Sequence, residues 1–352
     1  MANSENEILD DVIVNSRRKM LAIGGTALAG LALLGGRKAY AAATYTDTDI
    51  LNFALNLEYL EANFYYLAAF GCTIDKPNAA AVAAGAPSAG IPITGSVGTP
   101  GVVTGGSKVP FTTVQVASYA TETAVEEGKH VLFLQAALGG SAVAQPAINL
   151  GTSWPGLAAA AKIPNAASYS PYASDENFLV GAYVFEDVGV TAYHGAASLL
   201  TVSANLSAAA GILSVEAYHA GLIRTTIYSL DPNNTSIGSY TDLISSLRAK
   251  LALAASATTL APGTTADPYD TNPDDYGLST FTTPSGLGAG GAVTAARITD
   301  ADSANVIAFE RTTTQVLNIV TGGGAVKNNT VVSPAVGVFF PAGLNAGPNG
   351  FK

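Results

Sequence analysis

The stretch Val215-Glu216-Ala217-Tyr218-His219-Ala220-Gly221-Leu222-Ile223-Arg224 decides how this chain is read. It sets a Glu and a His three residues apart in an apolar segment, and on a helix residues three apart share a face. Ile212, Val215, Ile223 and Thr226 fall on that face too. A carboxylate and an imidazole in an apolar stripe must be paired, neutralised or bound to a metal, because burying them bare is costly. The same spacing recurs at Glu127 and His130 in Val125-Glu126-Glu127-Gly128-Lys129-His130-Val131-Leu132. Two of the chain's three histidines sit in this arrangement. Two Glu-x-x-His helices, joined by one Glu from each of two more, make the ligand set of a dimetal site in a helical bundle.

Working outward, the pattern supplies those two helices. Thr46-Asp47-Thr48-Asp49 offers N-caps for a helix from Ile50 that stops at Gly71, with Ile50, Ala54, Leu57, Phe64 and Ala68 inward beside Glu58 and Glu61. The second helix runs from about Thr113 to Leu138. Ser174 and Asp175 cap a third, Asp175 to Thr201, whose inner face carries Tyr183, Glu186, Val190 and Tyr193. A short turn near Asn205 leads to a fourth, Leu206 to Ser229, so the last two are antiparallel neighbours. Residues 72–112 and 139–174 read as long irregular inserts rich in Gly, Pro, Ala and Thr, with short strands expected at Ile91–Ile93 and Val102–Val103 and a short helix near Leu157–Lys162. Residues 231–352 form an extension, with helices expected at Tyr240–Ala255 and Asp300–Val320 and a strand at Val331–Phe340. The acidic run Asp267, Asp270, Asp274 and Asp275 lacks the spacing of a calcium loop and reads as solvated.

Composition bounds the function. Of 352 residues, 48% are hydrophobic and 12% charged, enough for a large core. A net charge of −10 argues against a nucleic-acid partner. Cys72, alone, excludes an internal disulfide and any CxxC centre. Residues 1–41 read as an export signal: Arg17-Arg18-Lys19, an apolar run from Ala22 to Leu34, then Ala39-Tyr40-Ala41. The adjacent arginines resemble a twin-arginine signal, which implies a periplasmic or extracellular protein. The run is shorter than the roughly 20 residues a membrane span needs, and no transmembrane segment is expected in the mature chain.

One ligand group per helix gives Glu58, Glu127 with His130, Glu186, and Glu216 with His219. Four carboxylates and two imidazoles suit two iron or manganese ions better than zinc or copper. Glu61 and Glu126 each neighbour a ligand, and each serves either as a further ligand or as a hydrogen-bond partner to one. Tyr65, seven residues after Glu58, is either a proton or electron source or a core tyrosine with a satisfied hydroxyl.

The stretches LNFALNLEYLEANFYYLA, EEGKHVLFLQAALG, NFLVGAYVFEDVGVTAYHGAA and ILSVEAYHAGLIRT, with the later FERTTTQVLNIV and FFPAGLN, carry a resemblance. The chain resembles the bacterial and plant desiccation-related proteins of the ferritin-like superfamily. That implies a mainly α, ferritin-like four-helix bundle over 42–230 and a carboxylate-bridged dimetal centre at the six residues above. The inserts and the extension set it apart from cage-forming ferritins, and no rubredoxin-type cysteines are present. Two functional classes stay open. One is an exported oxidase, peroxidase or catalase-like protein acting on a small-molecule oxidant or ferrous iron in stress protection. The other is a secreted structural or surface-assembly stress protein whose metal is a staple. The sequence leaves assembly as a homo-oligomer open.

Overall fold

The computed structural model describes residues 45–255, 275–278, 280–282, 294–301, 306–323, 326–327, 330–331 and 337–346. The expected export signal at 1–41 lies outside the described residues. In chain order the helices are α1 (Asp47–Phe70), α2 (Ala79–Ala84), α3 (Val114–Leu138), α4 (Ser153–Ala160), α5 (Asp175–Ala197), α6 (Ser203–Leu230), α7 (Ile237–Ala255) and α8 (Thr313–Val320). α1, α3, α5 and α6 form the bundle, with α1 packed along α3 and α5 along α6.

α1 is the central helix. Thr46 and Asp49 cap it reciprocally, and Gly71, left-handed at φ 75°, ends it. It is buried almost all round, which an amphipathic surface helix would not be. Its polar residues are accordingly spent on tertiary contacts. Asn52 bonds the backbone of Ser141 and Val143, each at 2.9 Å, and Asn63 bonds Gln145 at 2.8 Å. Asn56 and Asn345 exchange two bonds at 2.9 Å. The first insert bonds α1 as well, through Ile74 N–H to Asn63 and Val109 N–H to the Ala68 carbonyl, so both inserts and the C-terminal region dock on one buried helix.

The inserts are zipped to each other. β1 (Val103–Gly105) pairs in parallel with β2 (Ile148–Leu150). The expected strand at Ile91–Ile93 does not form, although the carbonyl of Ile93 accepts from the Gln145 N–H. Trp154, on α4, packs its ring against Phe64, Phe185 and Phe339. α2 is a helix where none was expected. Asn78 caps it by accepting from the backbones of Ala80 and Ala81.

α5 stops at Ala197, short of Thr201, and α6 starts earlier than expected, at Ser203. The carboxylate of Asp47, at the start of α1, accepts from the Thr201 and Val202 backbones and from Asn205, so a neighbouring helix caps α6. α6 is the one described helix long and apolar enough to cross a membrane, but Glu216, His219 and Arg224 are buried along it within the bundle.

In the extension the expected helix over 300–320 shrinks to α8. Residues 306–312 instead lay their backbone on α5: Arg311 donates to the Thr191 carbonyl at 3.0 Å, and His194 Nδ1 lies 3.1 Å from the Phe309 carbonyl. Gly195 permits the approach, since a side chain there would strike the Arg311 backbone. Of the expected strand at 331–340, the described part is Thr330–Val331, which pairs with Val326–Lys327, and one bridge between Gly337 and Phe340.

Asp275, read as part of a solvated run, is buried. It pairs with the Arg248 guanidinium, whose Nε lies 2.7 Å away, and accepts from Arg311 at 2.9 Å, while Asp187 on α5 takes Arg224 at 2.9 Å and Arg248 at 3.1 Å. The remaining acids of that run lie outside the described residues. This ion network fastens the extension to α5, α6 and α7. Asp275→Ala would remove the carboxylate that Arg248 and Arg311 share, breaking a buried ion network, a change that costs about 3–5 kcal/mol. Denaturant unfolding should show that loss; a loss within about 0.5 kcal/mol, the range of an inconsequential surface change, would contradict this account of the network.

Candidate metal centre

Each bundle helix delivers its residues through local sequence. The helical period turns Glu127 and His130 inward on α3, and Gly128 between them brings α3 close to α1, since a side chain there would come 2.8 Å from the Tyr66 hydroxyl and from Ile91. On α5, Ser174 caps the first turn and Asp175 accepts from the backbones of Thr112 and Thr113, fixing the entry of α3 against α5. Gly189 lies one turn beyond Glu186. A side chain there would collide with the carboxylate of Glu216, so its absence makes room for that group.

The six expected residues Glu58, Glu127, His130, Glu186, Glu216 and His219 converge, all of them buried. Their ligand atoms form two groups. Glu58, Glu127, His130 and Glu216 make one; Glu127, Glu186 and His219 make the other. Within each group these atoms lie within 4.8 Å of one another, and Glu127 belongs to both. His130 Nδ1 sits 3.4 Å from Glu58 and from Glu127, and 3.6 Å from Glu216. His219 Nδ1 sits 3.1 Å from Glu127 and 3.3 Å from Glu186. The two rings are 6.5 Å apart between centroids.

The outer atoms of the cluster are engaged elsewhere. Glu58 accepts a short hydrogen bond from Tyr193 and Glu186 one from Tyr65, each through Oε1. The pattern is reciprocal: Tyr65 follows Glu58 by seven residues on α1, Tyr193 follows Glu186 by seven on α5, and each tyrosine serves the other helix's carboxylate. Glu126 reaches the outer nitrogen of His219, Nε2, at 2.8 Å. It lies outside both groups and orients a histidine. Glu61, also outside both groups, is buried three residues along α1 from Glu58. Tyr193 and Gly189 acquired no role from sequence, although the seven-residue spacing from Glu186 to Tyr193 repeats that from Glu58 to Tyr65.

Oε2 of Glu58 and Glu186, both oxygens of Glu127 and Glu216, and Nδ1 of both histidines are buried without a well-formed hydrogen bond; those that meet do so as His–carboxylate pairs at 3.1–3.6 Å. Buried polar atoms are normally satisfied. Eight that face one another and are all oxygen or imidazole nitrogen fit bound cations.

Without a cation the cluster traps protons. Burial opposes the charge on His130, yet Glu127 and Glu58 raise its pKa to about 11. His219 is raised as well, with Glu186, Glu126 and Glu127 overcoming its burial. Burial would lift Glu127, but the two imidazolium groups hold it below the ordinary carboxylate value. Glu58 is lifted by burial to about 7, and Glu216 well above its usual value by burial and by Glu127 and Glu61. A cation must displace these protons, so uptake should strengthen as pH rises, by up to roughly tenfold per pH unit for each proton displaced. The dependence should include the range around pH 7 where Glu58 titrates. Calorimetry in buffers of different ionisation enthalpy should detect the released protons; uptake without proton release would contradict this picture.

Residues 46–229 match the family model described as a ferritin-like domain. The chain is similar to a desiccation-related protein of Craterostigma plantagineum, 31% identical over 58% of this chain and 62% of that protein. It is also similar to a ferritin-like catalase of Nesocodon mauritianus, 26% identical over 59% of this chain and 63% of that one. The matches therefore span less than two thirds of each relative's length. No solved structure gives a significant match.

Proposed function

The chain belongs to the ferritin-like domain family, and on that premise we propose that it is an exported stress-protection protein with a redox-active centre of two iron or manganese ions. Its substrate is peroxide, or dioxygen with ferrous iron. The observation that carries this reading is the set of eight inward ligand atoms without well-formed hydrogen bonds. Bound there, such ions would supply Lewis acidity and electron exchange with an oxygen substrate. Four carboxylates balance two divalent charges, which makes the cluster tolerable in an apolar core. Glu127, common to both groups, would help hold both ions. Glu126 accepts the Nε2 proton of His219 and leaves Nδ1 facing the centre. Tyr65 and Tyr193 donate to the outer oxygens of Glu186 and Glu58, which fixes each carboxylate and would leave its inner oxygen to the ions. A relative named as a catalase favours peroxide removal, and one named for desiccation favours a role in stress protection.

Glu127→Gln keeps the volume and removes the shared charge. Metal content should fall below two per chain, peroxide or ferrous turnover should be nearly lost, and the loaded protein should melt lower. The redox reading requires loaded wild type to exceed free metal at equal concentration. Loaded protein that melts far above its apo form yet does neither reaction would favour a structural staple instead.

Export rests on Arg17 and Arg18. Replacing both by Lys should retain the precursor in the cytoplasm, as read by fractionation; normal export would defeat the twin-arginine reading.

A further inference from the structure

A partly open cavity of about 50 Å³ lies between α1 and α5 under the extension. Leu57 and Leu60 of α1, Val188 of α5, Ile244 and Leu247 of α7 and Ile319 of α8 are among its walls. Arg248 also borders it, but its guanidinium is bound to Asp187, Asp275 and the Tyr183 hydroxyl, so it offers the chamber chiefly its stem. The walls are otherwise apolar except at one side, where Glu61 and Gly189 border the space. Gly189 is also the residue whose missing side chain accommodates Glu216. The chamber therefore adjoins the carboxylate cluster across a wall with no side chain. A water in such a space lacks the two to four polar partners that hold buried water, whereas a small apolar molecule loses nothing by entering.

We propose that this chamber holds dioxygen beside the Glu216 face of the centre. The assignment of that gas rests on the redox reading above; the chamber's affinity for a small apolar gas does not. Dioxygen enters the chemistry from either direction. When two peroxides disproportionate, one is oxidised to dioxygen and the other reduced, giving two waters. When two ferrous ions each lose one electron, dioxygen takes both with two protons to give one hydrogen peroxide. Peroxide is polar and hydrogen-bonding, and the apolar walls discriminate against it. In the first case the chamber releases a product, in the second it admits a reactant.

Xenon, an apolar gas of similar size, tests the site without metal. Crystals of metal-free wild type under xenon pressure should show density in the chamber; none there would overturn the proposal. Leu247→Phe should abolish that density and the milder Val188→Ile should reduce it, so one variant remains informative if the larger does not fold. In loaded protein of unchanged metal content, filling the chamber should slow dioxygen release in the peroxide assay, or dioxygen uptake in the ferrous assay, several-fold. Whichever assay responds identifies the direction. Filled variants that lose xenon but match the wild-type rates would overturn the chamber's role. Xenon bound in a wild type inert in both assays would uphold the gas site and overturn the redox reading instead.

Discussion

Four carboxylates and two imidazoles buried against one another are the constraint to which the rest of this structure answers. Bare, such a cluster would cost several kcal/mol per ion. Part of the cost is offset by protons, since His130 is raised to about 11 and Glu58 to about 7. The outer atoms are also satisfied: Tyr65, Tyr193 and Glu126 each take one. What remains is a set of inward oxygens and nitrogens without well-formed hydrogen bonds, which bound cations would satisfy together. The small residues make sense in the same terms, with Gly128 closing α3 on α1 and Gly189 yielding space to Glu216.

The second demand is enclosure. α1 is buried nearly all round because both inserts and the C-terminal region lie on it, with Asn63 holding Ile74 and Gln145, Asn52 holding Ser141 and Asn56 holding Asn345. The extension is fastened by ions as well as by apolar contact. Asp187 follows Glu186 directly in sequence, so one turn of α5 serves the centre with one residue and the Arg224–Arg248 network with the next. Removing the extension would therefore disturb the helix that carries a ligand.

Much of the centre was legible because helical period is a strong local signal. Glu-x-x-His in an apolar run leaves little freedom in where the side chains point, and Glu58 and Glu186 followed from well-capped helices. What was not legible depended on helix rotation or on distant partners. Glu127 reads as a ligand from the sequence, but its neighbour Glu126, about 100° round α3, reads as either ligand or hydrogen-bond partner, because its role is set by how α3 is turned against α6. Asp275 looked solvated among acids and turns because its partners, Arg248 and Arg311, are remote in sequence. Residues 306–312 carry a helical pattern, yet their backbone bonds to α5 instead of to itself. Tyr193 is different: its spacing from Glu186 matches that of Tyr65 from Glu58 and could have been noticed. The chamber beside Gly189 arises only when α7 and α8 close over α1 and α5.

The central claim is that the cluster is a ligand set and not a polar core satisfied by its own protons. Anomalous diffraction at the iron and manganese edges, from crystals of protein purified out of its native compartment, tests it most directly. The account predicts two anomalous peaks per chain, one among Glu58, His130 and Glu216 and the other between Glu186 and His219, with Glu127 reaching both. Crystals without an anomalous peak, even after soaking in both metals, would contradict it.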